Sequence, residues 1–224
     1  MSKYKNITYE DVKNNEEIKT YVRLADQTLG SLGYTEHSFA HVVRTATVAA
    51  HLLERLGYPE RDVELVSIAA YMHDIGNVVN RQGHAQSGAI IARSLLSDMH
   101  MNPAEIATVI SAIGHHDEGT AAPVNPIAAA LILADKSDVR RSRVRNQKQE
   151  TFDIHDRVNF AVKESSLRLS DDNKSVFLKI KIDTDICPVL DYFEIFLNRM
   201  HLCKQAAHYL GIWFKLVINQ TEIL

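Results

Sequence analysis

The period of the apolar residues changes once along this chain of 224 residues, near residue 163, and that change limits the fold more than any other feature. Before it, apolar side chains recur at three- and four-residue steps, as on one face of a helix. Segments 16–33, 37–56, 60–73, 85–99, 103–114 and 127 to about 141 all read this way. Their stops are local: Gly33, Gly57-Tyr58-Pro59 and Gly76. Asn102-Pro103 and Asn125-Pro126 each pair a capping side chain with a proline at the first helical position. Only 14 residues are Gly or Pro, which disfavours a loop-rich all-β chain.

After the change the period is two. Leu167 and Leu169, then Val176, Leu178, Ile180 and Ile182, alternate with polar residues around the turn cluster Asp171-Asp172-Asn173. A long apolar helix, 188–210, follows and is stopped by Gly211. Trp213 to Asn219 reads as a third strand. The expected fold is therefore mainly α: a helical bundle over residues 1–163 with a small ββαβ extension over 164–224. We expect the extension to form an antiparallel sheet backed by its helix and to supply no metal ligand. That helix is apolar on two sides, so it needs a second partner: the helical domain or another copy of the chain. A homodimer is expected on that ground.

Composition excludes several classes. The formal net charge is −3, so no global basic field attracts nucleic acid, and a nucleic-acid partner is not expected. Two cysteines, Cys187 and Cys203, make no disulfide framework. No run of 18 apolar residues argues for a membrane span, and the start, Met1 to Tyr9, has no signal-peptide core. A cytoplasmic location is expected.

The 11 histidines carry the chemistry. His41 lies inside the second helical segment, His73-Asp74 ends the third, His84 opens the fourth and His115-His116 ends the fifth. Asp135 follows Ile132, Leu133 and Ala134 in the sixth, where a buried charge requires a partner. A helical bundle can bring such positions together in its core. Imidazole nitrogen with carboxylate oxygen suits Mn²⁺, Fe²⁺ or Mg²⁺, and less selectively Zn²⁺. A lone helical histidine is more often a core or surface residue, so His51, His100, His155, His201 and His208 are read as structural.

The ordered set His41, His73-Asp74, His84, His115-His116, Asp135 resembles the HD-domain superfamily of metal-dependent phosphohydrolases. Ala134-Asp135-Lys136-Ser137-Asp138 resembles a form of its closing motif. The resemblance implies an all-α metal-binding domain over roughly residues 20–145. It implies His41, His73, Asp74 and Asp135 as ligands of a first divalent ion. His84 and His115 or His116, with Asp74 bridging, match a second; we assign His115 to that ion, and Asp74 with His116 to catalysis. The implied reaction is hydrolysis of a phosphate ester, a nucleotide among the candidates, by a metal-bound hydroxide. Two alternatives stay open: a di-iron oxygenase on the same ligands, and a non-enzymatic nucleotide or metal sensor. Some members carry a Lys three residues after the Asp; here that position is Asn77. Positive charge for phosphate is expected instead from Arg44, Lys136 or Arg140, the last in the basic run Arg140 to Lys148. Gly57-Tyr58-Pro59 spells the tripeptide of the cyclic-dinucleotide-cleaving members, but it precedes the His-Asp pair and is read as a turn.

Overall fold

The structure is a computed structural model that describes residues 4–146 and 148–223; Met1–Lys3, Gln147 and Leu224, including the outermost residues of both expected units, lie outside the described residues. The chain begins with α1 (Tyr9–Asn14) and α2 (Glu16–Ser31). Next come α3 (Phe39–Arg55), α4 (Glu60–Met72), α5 (His84–Asp98), α6 (Pro103–Gly114) and α7 (Pro126–Lys136). A last short helix, α8 (Ile154–Ala161), leads into β1 (Val162–Leu169) and β2 (Ser175–Ile182). Helix α9 (Val189–Tyr209), β3 (Trp213–Ile218) and β4 (Thr221–Glu222) complete the fold. The fold is thus mainly helical with a small C-terminal α+β part, as expected.

Local chemistry sets these boundaries. Asn102 and Asn125 cap α6 and α7 through Oδ1, which accepts from Ala104 N and Ala128 N at 2.9 and 2.7 Å. Pro103 and Pro126 then occupy a first turn that has no use for a donor. Every residue of α7 from Ile127 to Ala134 is buried. A helix apolar all round must be central, and α7 is packed by α3, α4, α6 and α9.

Two helices escape the hydrophobic period because they are short. Thr8 and Asp11 form a capping box at α1, and Asp153 caps α8 through Asp156 N at 2.7 Å. The helix expected to run to about Arg141 ends at Lys136, where Ser137 Oγ donates to Ala134 O and the chain turns Asp138 into the core.

The sheet is mixed, which corrects the antiparallel expectation. Its order is β1-β2-β3-β4; β1–β2 and β3–β4 are antiparallel, but β2–β3 is parallel. The connection between β2 and β3 contains α9, and such a crossover returns the chain to its starting end. The expected boundary at 163/164 falls inside β1. Val176, Leu178, Ile180, Ile182, Phe214, Leu216 and Ile218 face inward and join one continuous core with the helices. Helix α9 packs on both β3 and α7, so α7 covers the side for which the sequence allowed either the helical domain or a second copy. No described helix is long and apolar enough to cross a membrane.

Candidate metal centre

Five chain segments deliver side chains to one point. His41 sits in the first turn of α3, and His73-Asp74 immediately follow α4. His84 opens α5, His116 follows α6, and Asp135 lies in the last turn of α7. The turn Ile75–Val78 lets α4 and α5 approach closely. A Cβ on Gly76 would stand 2.0 Å from His84 O and 2.4 Å from Gly88 N, so only glycine allows this contact.

The imidazoles are held by their Nδ1 atoms. His41 Nδ1 meets Asp138 Oδ2 at 2.8 Å, His73 Nδ1 meets Ala70 O at 2.7 Å, His84 Nδ1 meets Arg81 O at 3.0 Å, and His116 Nδ1 meets Ile113 O at 2.7 Å. Each acceptor takes a hydrogen bond from the Nδ1 proton, so that in the neutral ring the Nε2 lone pair faces the interior. His41 Nε2 lies 3.3 Å from Asp135 Oδ1 and 3.6 Å from Asp74 Oδ2. His73 Nε2 lies 3.0 Å from Asp74 Oδ2 and 3.7 Å from Asp135 Oδ1. On the other side, His84 Nε2 and His116 Nε2 are 3.2 Å apart, at 3.5 and 4.0 Å from Asp74 Oδ1. Asp74 therefore turns one oxygen to each pair, and Asn77 Nδ2 steadies it by donating to Oδ1 at 3.0 Å.

This donor set fits a metal. His41 Nε2, His73 Nε2 and Asp74 Oδ2 are buried and make no aligned hydrogen bond. Orphaned buried polar atoms are costly, and three converging on one point are what a cation would satisfy. Among the described residues, three overlapping groups have donor atoms within 4.8 Å of one another: His41/His73/Asp74, His73/His116/Asp135 and Asp74/His84/His116. Burial opposes charge on His73, yet Asp74 and Asp135 push its pKa up to about 10. Burial also opposes charge on Asp135, but Lys136, His41 and His73 hold it well below the usual carboxylate range. His116 is pushed well below the ordinary imidazole value by burial and then by His73, which keeps its ring neutral.

Residues 38–154 match the HD domain family, and all six converging residues lie inside that span. The chain belongs to the HD domain family. This is a family of metal-dependent phosphohydrolases whose domains bind divalent ions. The HD chain is 25% identical over 170 residues to an uncharacterized protein of Methanocaldococcus jannaschii, covering 66% of this chain and 65% of that one. It is 29% identical over 136 residues to ribonuclease Y of Cutibacterium acnes, covering 57% of this chain and 22% of the relative. The chain thus spans less than two thirds of either relative's length. A crystal structure described as a predicted HD superfamily hydrolase from an uncultured Thermotogales bacterium is 26% identical. It covers 55% of this chain and 67% of its own, with a TM-score of 0.44.

Three expected site residues stand elsewhere in the HD domain. His115 is outside the cluster: its Nδ1 meets Ser111 O at 2.8 Å, and it borders a separate pocket with Ile90 and Ile110. At the end of α6, adjacent residues point in different directions, and the inward one is His116. Arg44 and Arg140 do not line the central cavity. Arg44 Nε lies 3.1 Å from Asp138 Oδ1, and Arg140 bonds both Asp138 oxygens, at 2.5 and 3.0 Å. A carboxylate only 1% exposed needs those countercharges. The rest of the basic run is also largely tied down: Arg143 Nε donates to Glu36 O, Arg141 Nε to Phe160 O and Arg145 to Asp26.

Lys136 is where it was expected. It is buried, its Nζ lies 2.7 Å from Asp135 Oδ2, and it lines the cavity above the cluster. That cavity is about 620 Å³. Several of its walls were not read from sequence. Arg81 reaches His84 Nε2 at 3.3 Å and stacks over Tyr34; His37 borders it with its ring against His41. His155, read as structural, stands at its edge. From the C-terminal part, α9 contributes Phe196 and Arg199, and Arg199 Nε donates to Glu118 Oε1 at 2.8 Å.

Proposed function

We propose that this HD protein hydrolyses a phosphate ester of nucleotide size, using divalent ions held by His41, His73, Asp74 and Asp135 on one side and by Asp74, His84 and His116 on the other. The observation that carries the reading is Asp74, which turns one carboxylate oxygen to each histidine pair at the floor of an open cavity. When bound, such ions supply Lewis acidity and lower the pKa of water. The chain's own residues supply the rest. Lys136 holds Asp135 Oδ2, which leaves Oδ1 facing His41 and His73. Lys136 and Arg81 bring positive charge to the cavity, where Asn77 offers none. Guanidinium and ammonium groups beside a metal cluster suit phosphoryl oxygens. Tyr34 and Phe196 add aromatic surface on the walls, which suits a base better than a bare phosphate.

The test is a panel of nucleoside mono-, di- and triphosphates, cyclic nucleotides and simple phosphate esters, with protein loaded separately with Mn²⁺, Fe²⁺, Mg²⁺ or Zn²⁺. Phosphate or nucleoside release that Asp74→Ala abolishes is the expected result. No release from any substrate with any metal overturns the reading. Oxygen consumption by iron-loaded protein without phosphate release would put an oxygenase in its place.

A further inference from the structure

The outer face of the C-terminal sheet points to a second ligand, independent of the metal centre. The inward residues of β2 and β3 are all apolar, so alternation sends the others outward: Phe177, Lys179 and Lys181 on β2, and Trp213, Lys215 and Val217 on β3. Strand β1 adds Glu164, Ser166 and Arg168. The register sets Arg168, Phe177 and Lys215 in one row across three strands. Trp213 pairs with Ser175, one step along from Phe177 on the same face. Trp213 is 71% exposed. A groove of about 770 Å³ crosses part of this side, bordered by Ser166, Phe177, Lys179, Lys181 and Val217.

The charge on this face is opposite in sign to that of the whole chain. Four cations, Arg168, Lys179, Lys181 and Lys215, share it with two acids at its margins. Glu164 lies 3.4 Å from Lys181, and Glu222 lies 2.6 Å from Lys215. Among the described residues, no carboxylate comes within 4.0 Å of Arg168 or Lys179, and Lys179 lies over the Phe177 ring. The expectation of no nucleic-acid partner rested on the net charge of −3, and the basic run Arg140 to Lys148 contains no aromatic residue. Neither describes this face, whose cations and rings meet only through strand register, with Phe177 and Lys215 paired across β2–β3 although 38 residues apart.

We propose that this sheet face binds single-stranded nucleic acid, with bases stacked on Trp213 and Phe177 and phosphates held by Arg168, Lys179 and Lys215. An aromatic ring presented from a pleated surface stacks on any base, and flanking cations track the backbone; this combination is sequence-tolerant and salt-sensitive. An acidic peptide would use the cations and leave the rings without purpose.

The test uses the full chain. Trp213 is the sole tryptophan, so its fluorescence reports this face alone. A labelled oligonucleotide of about twelve thymidines or uridines is long enough for one such site. Expected are quenching of Trp213 and a rise in oligonucleotide anisotropy. With two to four phosphates neutralised, affinity should fall roughly 7- to 50-fold between 50 and 200 mM salt. Trp213→Ala, Phe177→Ala and Lys179→Glu should each weaken binding about fivefold or more, and Trp213→Phe should retain it. These substitutions lie on the outer face, and unchanged circular dichroism would show that the fold is intact. Absence of binding at about 100 μM protein and 50 mM salt overturns the proposal. So does polyphosphate binding as tightly with the aromatic variants unaffected, which would leave only a polyanion patch. Tighter binding to phosphatidylserine vesicles than to the oligonucleotide would make the face a lipid surface. Sedimentation showing a dimer that Trp213→Ala dissolves would make it a self-association surface.

Discussion

His41 Nδ1 and Asp138 Oδ2 stand 2.8 Å apart although 97 residues separate them in the chain. The contact joins the first turn of α3 to the turn after α7, and it aims His41 Nε2 at Asp74 and Asp135. Asp138 is in turn clamped by Arg140, with Arg44 beside it. A carboxylate behind a metal-ligating histidine fixes its tautomer and raises its basicity, and losing one typically costs 10–100-fold in metal affinity. Asp138→Ala should therefore weaken Mn²⁺ binding by about that factor, read by titration against a competing chelator. Affinity unchanged from the parent would show that Asp138 serves packing alone.

The adjacent pair at the end of α6 offers an internal control. His116 Nε2 faces His84 and Asp74, whereas His115 is anchored outside the cluster. His116→Ala should lower the number of ions per chain and reduce hydrolysis by at least about tenfold, as removal of a group at the reacting centre commonly does. His115→Ala should leave metal content and activity near the parent's. Metal analysis of both purified variants decides it, and the reverse pattern would remove His116 from the centre.

Much of this centre was legible because its residues obey local rules. His41 and Asp135 sit in helices that periodicity and, for Asp135, the Asn125-Pro126 cap define, and His73-Asp74 follow directly on the end of another. The choice between His115 and His116 was not legible, since it depends on how the helix end of α6 turns. The roles of Arg44 and Arg140 were misread for another reason. Their positive charge was visible, but the buried carboxylate of Asp138 that claims it appears only when α3 and the turn after α7 meet. The parallel β2–β3 pairing likewise follows from where α9 returns the chain, which alternation within a strand does not encode. Phe196 and Arg199 reach the cavity from a segment with no metal-site signature at all.

Gly76 should tolerate no side chain. A Cβ there meets two backbone atoms, His84 O and Gly88 N, and neither can move without shifting α5. Gly76→Ala should destabilise the fold by about 1–3 kcal/mol, the usual range for overpacking, and displace His84 from the cluster. Gly88→Ala meets its nearest neighbour, Gly76 N, at 3.2 Å and should cost less. Urea unfolding of the two variants tests the ranking; equal midpoints would show that the turn adapts.

Metal stabilisation should strengthen as pH rises. In the metal-free protein Asp74 and Asp135, against the opposing effect of burial, push His73 up to about 10, above the roughly 6.5 of an unfolded histidine. A raised pKa of this kind contributes stability that is complete below about 6.5 and is lost as pH climbs towards 10. A metal ion at His41, His73 and Asp74 must displace that proton, because the ligand is the neutral Nε2. Between pH 7 and 8.5 the metal-free chain should lose stability from this group while the loaded chain keeps its own. The apparent affinity for Mn²⁺ should then rise by up to about tenfold per pH unit. Thermal shifts with and without Mn²⁺ across that range, at fixed free metal, measure it. A shift independent of pH would mean that His73 is already neutral when the ion arrives, and a shift that shrinks with rising pH would place the displaced proton on no ligand of this centre.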